Sequence, residues 1–122
     1  MKTMNRKYNI SIVISEFNKE ISEGLLLGAK EAFKMHNGSI INIFWVPGAF
    51  EIAATVKKVA QELKPDAIIT LGAIIRGETK HFDFISAECA RAIQNLTLKF
   101  DIPIMFGVLT TNNINQATER ST

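Results

Sequence analysis

The nine residues from Ala67 to Ile75 read Ala-Ile-Ile-Thr-Leu-Gly-Ala-Ile-Ile, an apolar run broken only by Thr70. Its length and β-branched content fit a strand. A strand without polar alternation has no face to offer to water, so both of its faces must be covered. That requirement admits a parallel sheet packed between helices and excludes a sheet with one wetted side.

The rest of the chain supplies those layers. Tyr8 to Ser15 alternates and is β-branched, which predicts a strand, with Glu16-Phe17-Asn18 as the loop after it. From Lys19 to about His36 the apolar set Ile21, Leu25, Leu26, Ala29, Ala32 and Phe33 has helical spacing, and Asn37-Gly38 ends it. Ser39 to Val46 predicts a second strand, punctuated by Pro47-Gly48. A second helix follows from about Phe50 to Lys64, with Ile52, Val56, Val59, Ala60 and Leu63 on one face. After the apolar run, Phe82, Ile85, Cys89, Ile93, Leu96 and Phe100 mark a third helix, and Pro103 to Leu109 a fourth strand. Thr110-Thr111-Asn112-Asn113 offers an N-cap for a short last helix. Strands alternating with helices predict a parallel sheet with right-handed crossovers and helices on both faces. The expectation is one domain over residues 1–122: a three-layer α/β/α sandwich on a four-stranded parallel sheet.

A formal charge of +2, with Lys and Arg dispersed, gives no argument for nucleic acid. The single cysteine, Cys89, excludes an intrachain disulfide and leaves no ligand set for structural zinc. Its apolar helical setting predicts buried packing. The apolar runs are strand-length rather than membrane-spanning. Met1 to Lys7 is basic and polar, and Tyr8 to Ile14 is too short and too alternating for a secretory signal. A cytoplasmic protein without membrane contact is expected.

Chemistry concentrates just past the apolar strand. Arg76-Gly77-Glu78-Thr79-Lys80-His81 places two cations, a carboxylate, a hydroxyl and an imidazole in one turn that becomes a helix N-terminus. Helix N-termini favour anions, and parallel sheets bind ligands at the carboxyl ends of their strands. The other loops on that edge bring Phe17, then Pro47-Gly48-Ala49-Phe50-Glu51, then Phe106-Gly107 with Arg120 beyond. Aromatic rings, a carboxylate, a His and an Arg suit a flat polar heterocycle with an anionic partner. Singly, each has an ordinary structural role: Glu51 in a first helical turn, His81 at a helix start, Phe106 in a core, Arg76 and Lys80 as solvated charges. Together they fall on one edge.

Four motifs in order carry a resemblance: Glu16-Phe17-Asn18, Trp45-Val46-Pro47-Gly48-Ala49-Phe50-Glu51-Ile52, the stretch Asp66 to Asp83, and Phe106-Gly107-Val108-Leu109-Thr110-Thr111 with Glu119-Arg120. Over about residues 8 to 120 the chain resembles the lumazine synthase family of riboflavin biosynthesis. The resemblance implies flavodoxin-like winding and a transferase that condenses 5-amino-6-(D-ribitylamino)uracil with 3,4-dihydroxy-2-butanone 4-phosphate. It implies Phe17, Ala49, Phe50, Glu51, Ala73, Ile74, Ile75 and Phe106 at the pyrimidine substrate, and Glu78, Thr79 and Arg120 at the phosphate substrate. His81 is the implied proton-transfer residue. It further implies a homopentamer, or a shell of pentamers, with Phe106 and Arg120 entering the site from a neighbouring subunit. No metal or redox cofactor is implied.

Family members continue past Glu-Arg with a Gly- and Lys-containing turn and a long final helix, whereas this sequence stops at Thr122. A truncated C-terminal helix is therefore part of the expected fold, together with an apolar strip near the fourth strand that is exposed or covered by a neighbour. Two alternatives stay open at this point: an inactive relative that only binds ligand or assembles, and an archaeal-type riboflavin synthase.

Overall fold

The computed structural model describes residues 8–36, 38–78 and 81–121. Its elements run β1 (Tyr8–Ser15), α1 (Lys19–Met35), β2 (Gly38–Val46), a 3₁₀ turn (Ala49–Glu51), α2 (Ile52–Glu62), β3 (Ala67–Ile75), α3 (Phe82–Lys99), β4 (Ile104–Thr111) and α4 (Ile114–Arg120). The four strands form one sheet in the order β2-β1-β3-β4, and every adjacent pair is parallel. This is the start of flavodoxin-like winding. The chain steps one way from β1 to β2, then reverses through β3 to β4, and a crevice opens where the direction changes.

All nine residues of β3 are buried. Its side chains alternate between two layers. Ile68 and Ile74 pack with Val13, Ile52, Val56, Cys89, Ile93 and Val108 beneath α2 and α3. Ala67, Ile69 and Leu71 pack with Ile10, Ile12, Ile14 and Leu26 beneath α1. Ala73 and Ile75 meet Ile21 and Ala117, so α4 shares the α1 face. Each fully buried isoleucine contributes about 1.5–3 kcal/mol relative to exposure; Ile12, Ile14, Ile52 and Ile68 are the largest such side chains with no accessible surface.

Several expectations are corrected at element ends. Ala32 is exposed, because α1 turns Ile21, Leu26, Ala29 and Phe33 toward the sheet and leaves Ala32 off that stripe. Ala49–Glu51 forms a 3₁₀ turn, so α2 proper begins at Ile52; it ends at Glu62, where the N–H groups of Leu63 and Lys64 both donate to the Val59 carbonyl. β4 starts at Ile104 rather than Pro103 and runs on to Thr111, paired to Ile75 of β3. The cap of α4 is thus Asn113 alone, whose Oδ1 accepts from Gln116 N–H at 2.9 Å, while Gln116 Oε1 accepts from Asn112 N–H at 2.9 Å.

On β4, Met105 and Phe106 are 53% and 42% exposed. The expected apolar strip on this strand is therefore open in the single chain. No helix among the described residues is long and apolar enough to cross a membrane.

Two small tests follow from packing. Gly28 lies within α1, and a Cβ there would meet nothing within 4 Å. Gly28→Ala is expected to stabilise the fold by about 0.5–1 kcal/mol, read as a higher urea midpoint at unchanged slope. Cys89 is buried, and desolvation pushes its thiol above the ordinary cysteine value. Native protein is expected to react with a disulfide-exchange reagent at least about tenfold more slowly than protein in denaturant. Equal rates would place Cys89 in reach of solvent.

Candidate active site

β1 ends in Ser15, whose hydroxyl oxygen accepts from the Phe17 N–H at 3.2 Å. This short side-chain bond turns the strand out and presents the Phe17 ring. Asn18 follows with left-handed φ of 57° and ψ of 59°, and its carbonyl accepts from the Ile21 and Ser22 N–H groups to open α1. After β2, Pro47-Gly48 bends the chain into the 3₁₀ turn, with Phe50 projecting. After β3, the Glu78 N–H donates to the Ile75 carbonyl at 3.2 Å. Gly77, at φ +90°, makes the bend between them, a backbone shape that glycine adopts at little cost.

These three strand ends enclose a pocket of about 220 Å³ lined by Phe17, Gly48, Ala49, Phe50, Ala73, Ile74, Ile75, Glu78 and Ile85. It lies over β1 and β3, at the point where the sheet order reverses. Seven of the residues expected at the site come together here: Phe17, Ala49, Phe50, Ala73, Ile74, Ile75 and Glu78. The walls are apolar, and Phe17 and Phe50 remain 43% and 65% exposed. Two aromatic rings left uncovered on either side of a slot are suited to a flat ring system. Glu51 stands at the rim. Its carboxylate folds back over Gly48, where an added Cβ would lie 3.4 Å from Oε1.

His81 occupies the N-cap position of α3 and is exposed; its side chain makes no capping bond to the helix, and its carbonyl accepts from Ile85 N–H at 2.8 Å. Ile85, one turn on, lines the pocket, and His81 itself is not among the lining residues. Thr79 falls outside the described residues. Arg76, for which a solvated charge is the ordinary reading, is engaged while half-exposed. Its Nε donates to Asn112 Oδ1 at 3.1 Å, its guanidinium lies 3.5 Å from the Asp83 carboxylate, and it sits 4.5 Å from the Phe82 ring centroid. Its N–H also donates to the Thr111 carbonyl at 2.8 Å.

Two expected residues are not brought in. Phe106 pairs with Thr70, three residues before the pocket begins on β3, and β4 lies at the far edge of the sheet from the loops carrying Phe17 and Phe50. Arg120 ends α4, where the neighbouring Ser121 carbonyl comes within 2.9 Å of a Cβ placed on Gly24 of α1. It therefore lies on the α1 side of the sheet, whereas the pocket is walled by the start of α2 and by α3.

A sequence profile described as 6,7-dimethyl-8-ribityllumazine synthase matches residues 7–122. The chain belongs to that family. A 6,7-dimethyl-8-ribityllumazine synthase from Helicobacter acinonychis (strain Sheeba) is similar to it, 48% identical over 114 residues, which are 92% of this chain and 73% of that protein. Within this lumazine synthase family frame, sequence reasoning missed the engagement of Arg76, the turn-forming role of Ser15 and the side-chain partner of Glu78. That partner is Asn18, whose Nδ2 donates to Glu78 Oε2 at 2.9 Å across sixty residues of sequence. Residues that meet only when two loops are folded leave no spacing to read. The one available signal was an asparagine at a loop position where left-handed backbone is tolerated.

Proposed function

We propose that this chain condenses 5-amino-6-(D-ribitylamino)uracil with 3,4-dihydroxy-2-butanone 4-phosphate to give 6,7-dimethyl-8-ribityllumazine, inorganic phosphate and water. The observation that carries the proposal is the convergence of Phe17, Ala49, Phe50, Ala73, Ile74, Ile75 and Glu78 on one crevice in a chain of this family. The pyrimidine stacks on Phe17, with its polar edge on the backbone of Ala73 to Ile75. The ribityl chain runs along Ala49, Phe50 and Glu51. The phosphate sits against the N-terminus of α3, an end of a helix that favours anions.

The 5-amino group attacks the ketone, and water leaves to form an imine. Phosphate is eliminated, and the ribitylamino nitrogen closes the ring with loss of a second water. Holding two substrates in one slot lowers the entropic part of the barrier. His81, beside the turn, moves protons between nitrogen and oxygen, a task suited to imidazole near neutral pH.

Phe106 and Arg120 of the same chain do not line the pocket. A neighbouring copy supplies them in our reading, bringing its own Phe106 to close the slot and its own Arg120 to pair with the phosphate. Such a head-to-tail contact gives a ring where its rotation closes. A pentamer, or a shell of pentamers, working in the cytoplasm is the assembly proposed. The protein incubated with both substrates should form the fluorescent lumazine, with release of one phosphate per product. Absence of product over a wide range of protein concentration would overturn the assignment.

A further inference from the structure

Asparagine at a helix N-cap ordinarily accepts a hydrogen bond from its own helix, satisfying an orphan N–H. Asn18 does not: its side chain makes no capping bond to α1. It reaches instead across the pocket mouth and donates to Glu78 Oε2 at 2.9 Å. The two residues belong to different loops. Asn18 is next to Phe17 in the loop after β1, and Glu78 lies in the turn after β3. Phe17 and Glu78 both line the pocket. The left-handed backbone of Asn18, at φ 57°, is what turns the amide toward Glu78 and away from α1. That conformation costs most residues strain, and asparagine tolerates it.

We infer that Asn18 is a positioning residue for the reaction, acting through Glu78 to fix the Phe17 loop against the turn after β3. The inference rests on the proposed function for its substrates and goes beyond it in mechanism. Without the tie, the spacing between the stacking ring and the end of β3 is no longer set. The Glu78 carboxylate is also released to swing toward an incoming phosphate, which it would repel. Glu78 thus contributes by being held aside.

Three variants separate this role from backbone strain. Asn18→Gly keeps the left-handed conformation available and removes the amide. Asn18→Asp replaces the donor with an acceptor facing Glu78. Asn18→Asp with Glu78→Gln restores a hydrogen bond of reversed direction. Steady-state kinetics with both substrates, a melting curve and calorimetric titration of the pyrimidine substrate are measured for each. Asn18→Gly is expected to raise KM for both substrates, for the pyrimidine by about tenfold, with kcat changed less than about threefold and the melting curve unmoved. Asn18→Asp should raise it further, and adding Glu78→Gln should recover most of that second loss. Wild-type KM in Asn18→Gly, or a double variant no better than Asn18→Asp, would overturn the inference. If wild-type protein forms no lumazine, the functional reading fails by itself. The tie is then judged on the calorimetric affinities: a loss in Asn18→Gly supports it, and an unchanged affinity overturns it.

Discussion

Chains carrying His81→Ala and chains carrying Arg120→Ala, each nearly inactive alone, are expected to recover activity when denatured together and refolded as a mixture. The geometry behind this is the separation of the two residues. His81 is the N-cap residue of α3, whose Ile85 lines the pocket, and Arg120 ends α4 on the opposite layer of the sheet against α1. If one chain supplies His81 and its neighbour supplies Arg120, each single variant damages every site in its own ring. Losing a general acid–base residue costs about 10²–10⁴-fold in turnover. Losing a charge-assisted contact of about 1.5–3 kcal/mol raises KM for the phosphate substrate roughly 10- to 150-fold, with much less effect on the pyrimidine. In a ring assembled at random from equal parts, about a quarter of the contacts pair an intact His81 with an intact Arg120, whatever the number of subunits. The mixture should therefore reach about a quarter of the wild-type rate at low phosphate-substrate concentration. A rate no higher than the mean of the two parents would place both residues in the same chain's site.

The fold was legible because its strongest signals are local. The apolar run Ala67 to Ile75 became a strand with these bounds, buried on both faces, and four strands and four helices follow the predicted order. Element ends were less legible, for a physical reason. Ala49–Glu51 has the composition of a helix start, and what tightens it to a 3₁₀ turn is a backbone bond, the Glu51 N–H donating to the Gly48 carbonyl at 3.1 Å. β4 gains Thr110 and Thr111 because Ile74 and Ile75 of β3 offer them partners, which no property of the two threonines announces. At the candidate site, among the residues that line the pocket are ones contiguous in sequence with a strand end: Phe17, Ala49–Phe50 and Ala73–Ile75. Cross-loop relations were not legible. That Glu78 is bound to Asn18, and that Arg76 is held between Asn112, Asp83 and Phe82, depends on the β2-β1-β3-β4 order bringing three loops side by side. Family resemblance supplies roles for residues one at a time, and it is silent about which side chains hold one another.

Gly107→Ala is expected to be the most damaging single-methyl change in the molecule. Gly107 of β4 stands opposite Leu71 of β3, and a Cβ there would lie 2.6 Å from the Thr70 carbonyl oxygen and 2.9 Å from Leu71 Cδ2. The first contact decides the cost. It is with the backbone of the strand buried on both faces, and the Thr70 hydroxyl, which donates to the Met105 carbonyl of β4 at 2.9 Å, is pulled on as the two strands part. β3 cannot yield, so β4 must move outward, opening the ladder on either side of position 107. Overpacking of this kind costs about 3 kcal/mol, or roughly 10–15 °C in melting temperature for a chain of this size. Phe106 and Thr111 travel with the strand, and Thr111 is the acceptor of the Arg76 N–H, so the turn after β3 is loosened as well. A double-mutant cycle isolates the cause. If the Leu71 side chain were the obstacle, Leu71→Ala would relieve Gly107→Ala and the coupling would approach the full penalty. Because the carbonyl of Thr70 stays in place, the coupling is expected to remain below about 1 kcal/mol, and the two losses to add.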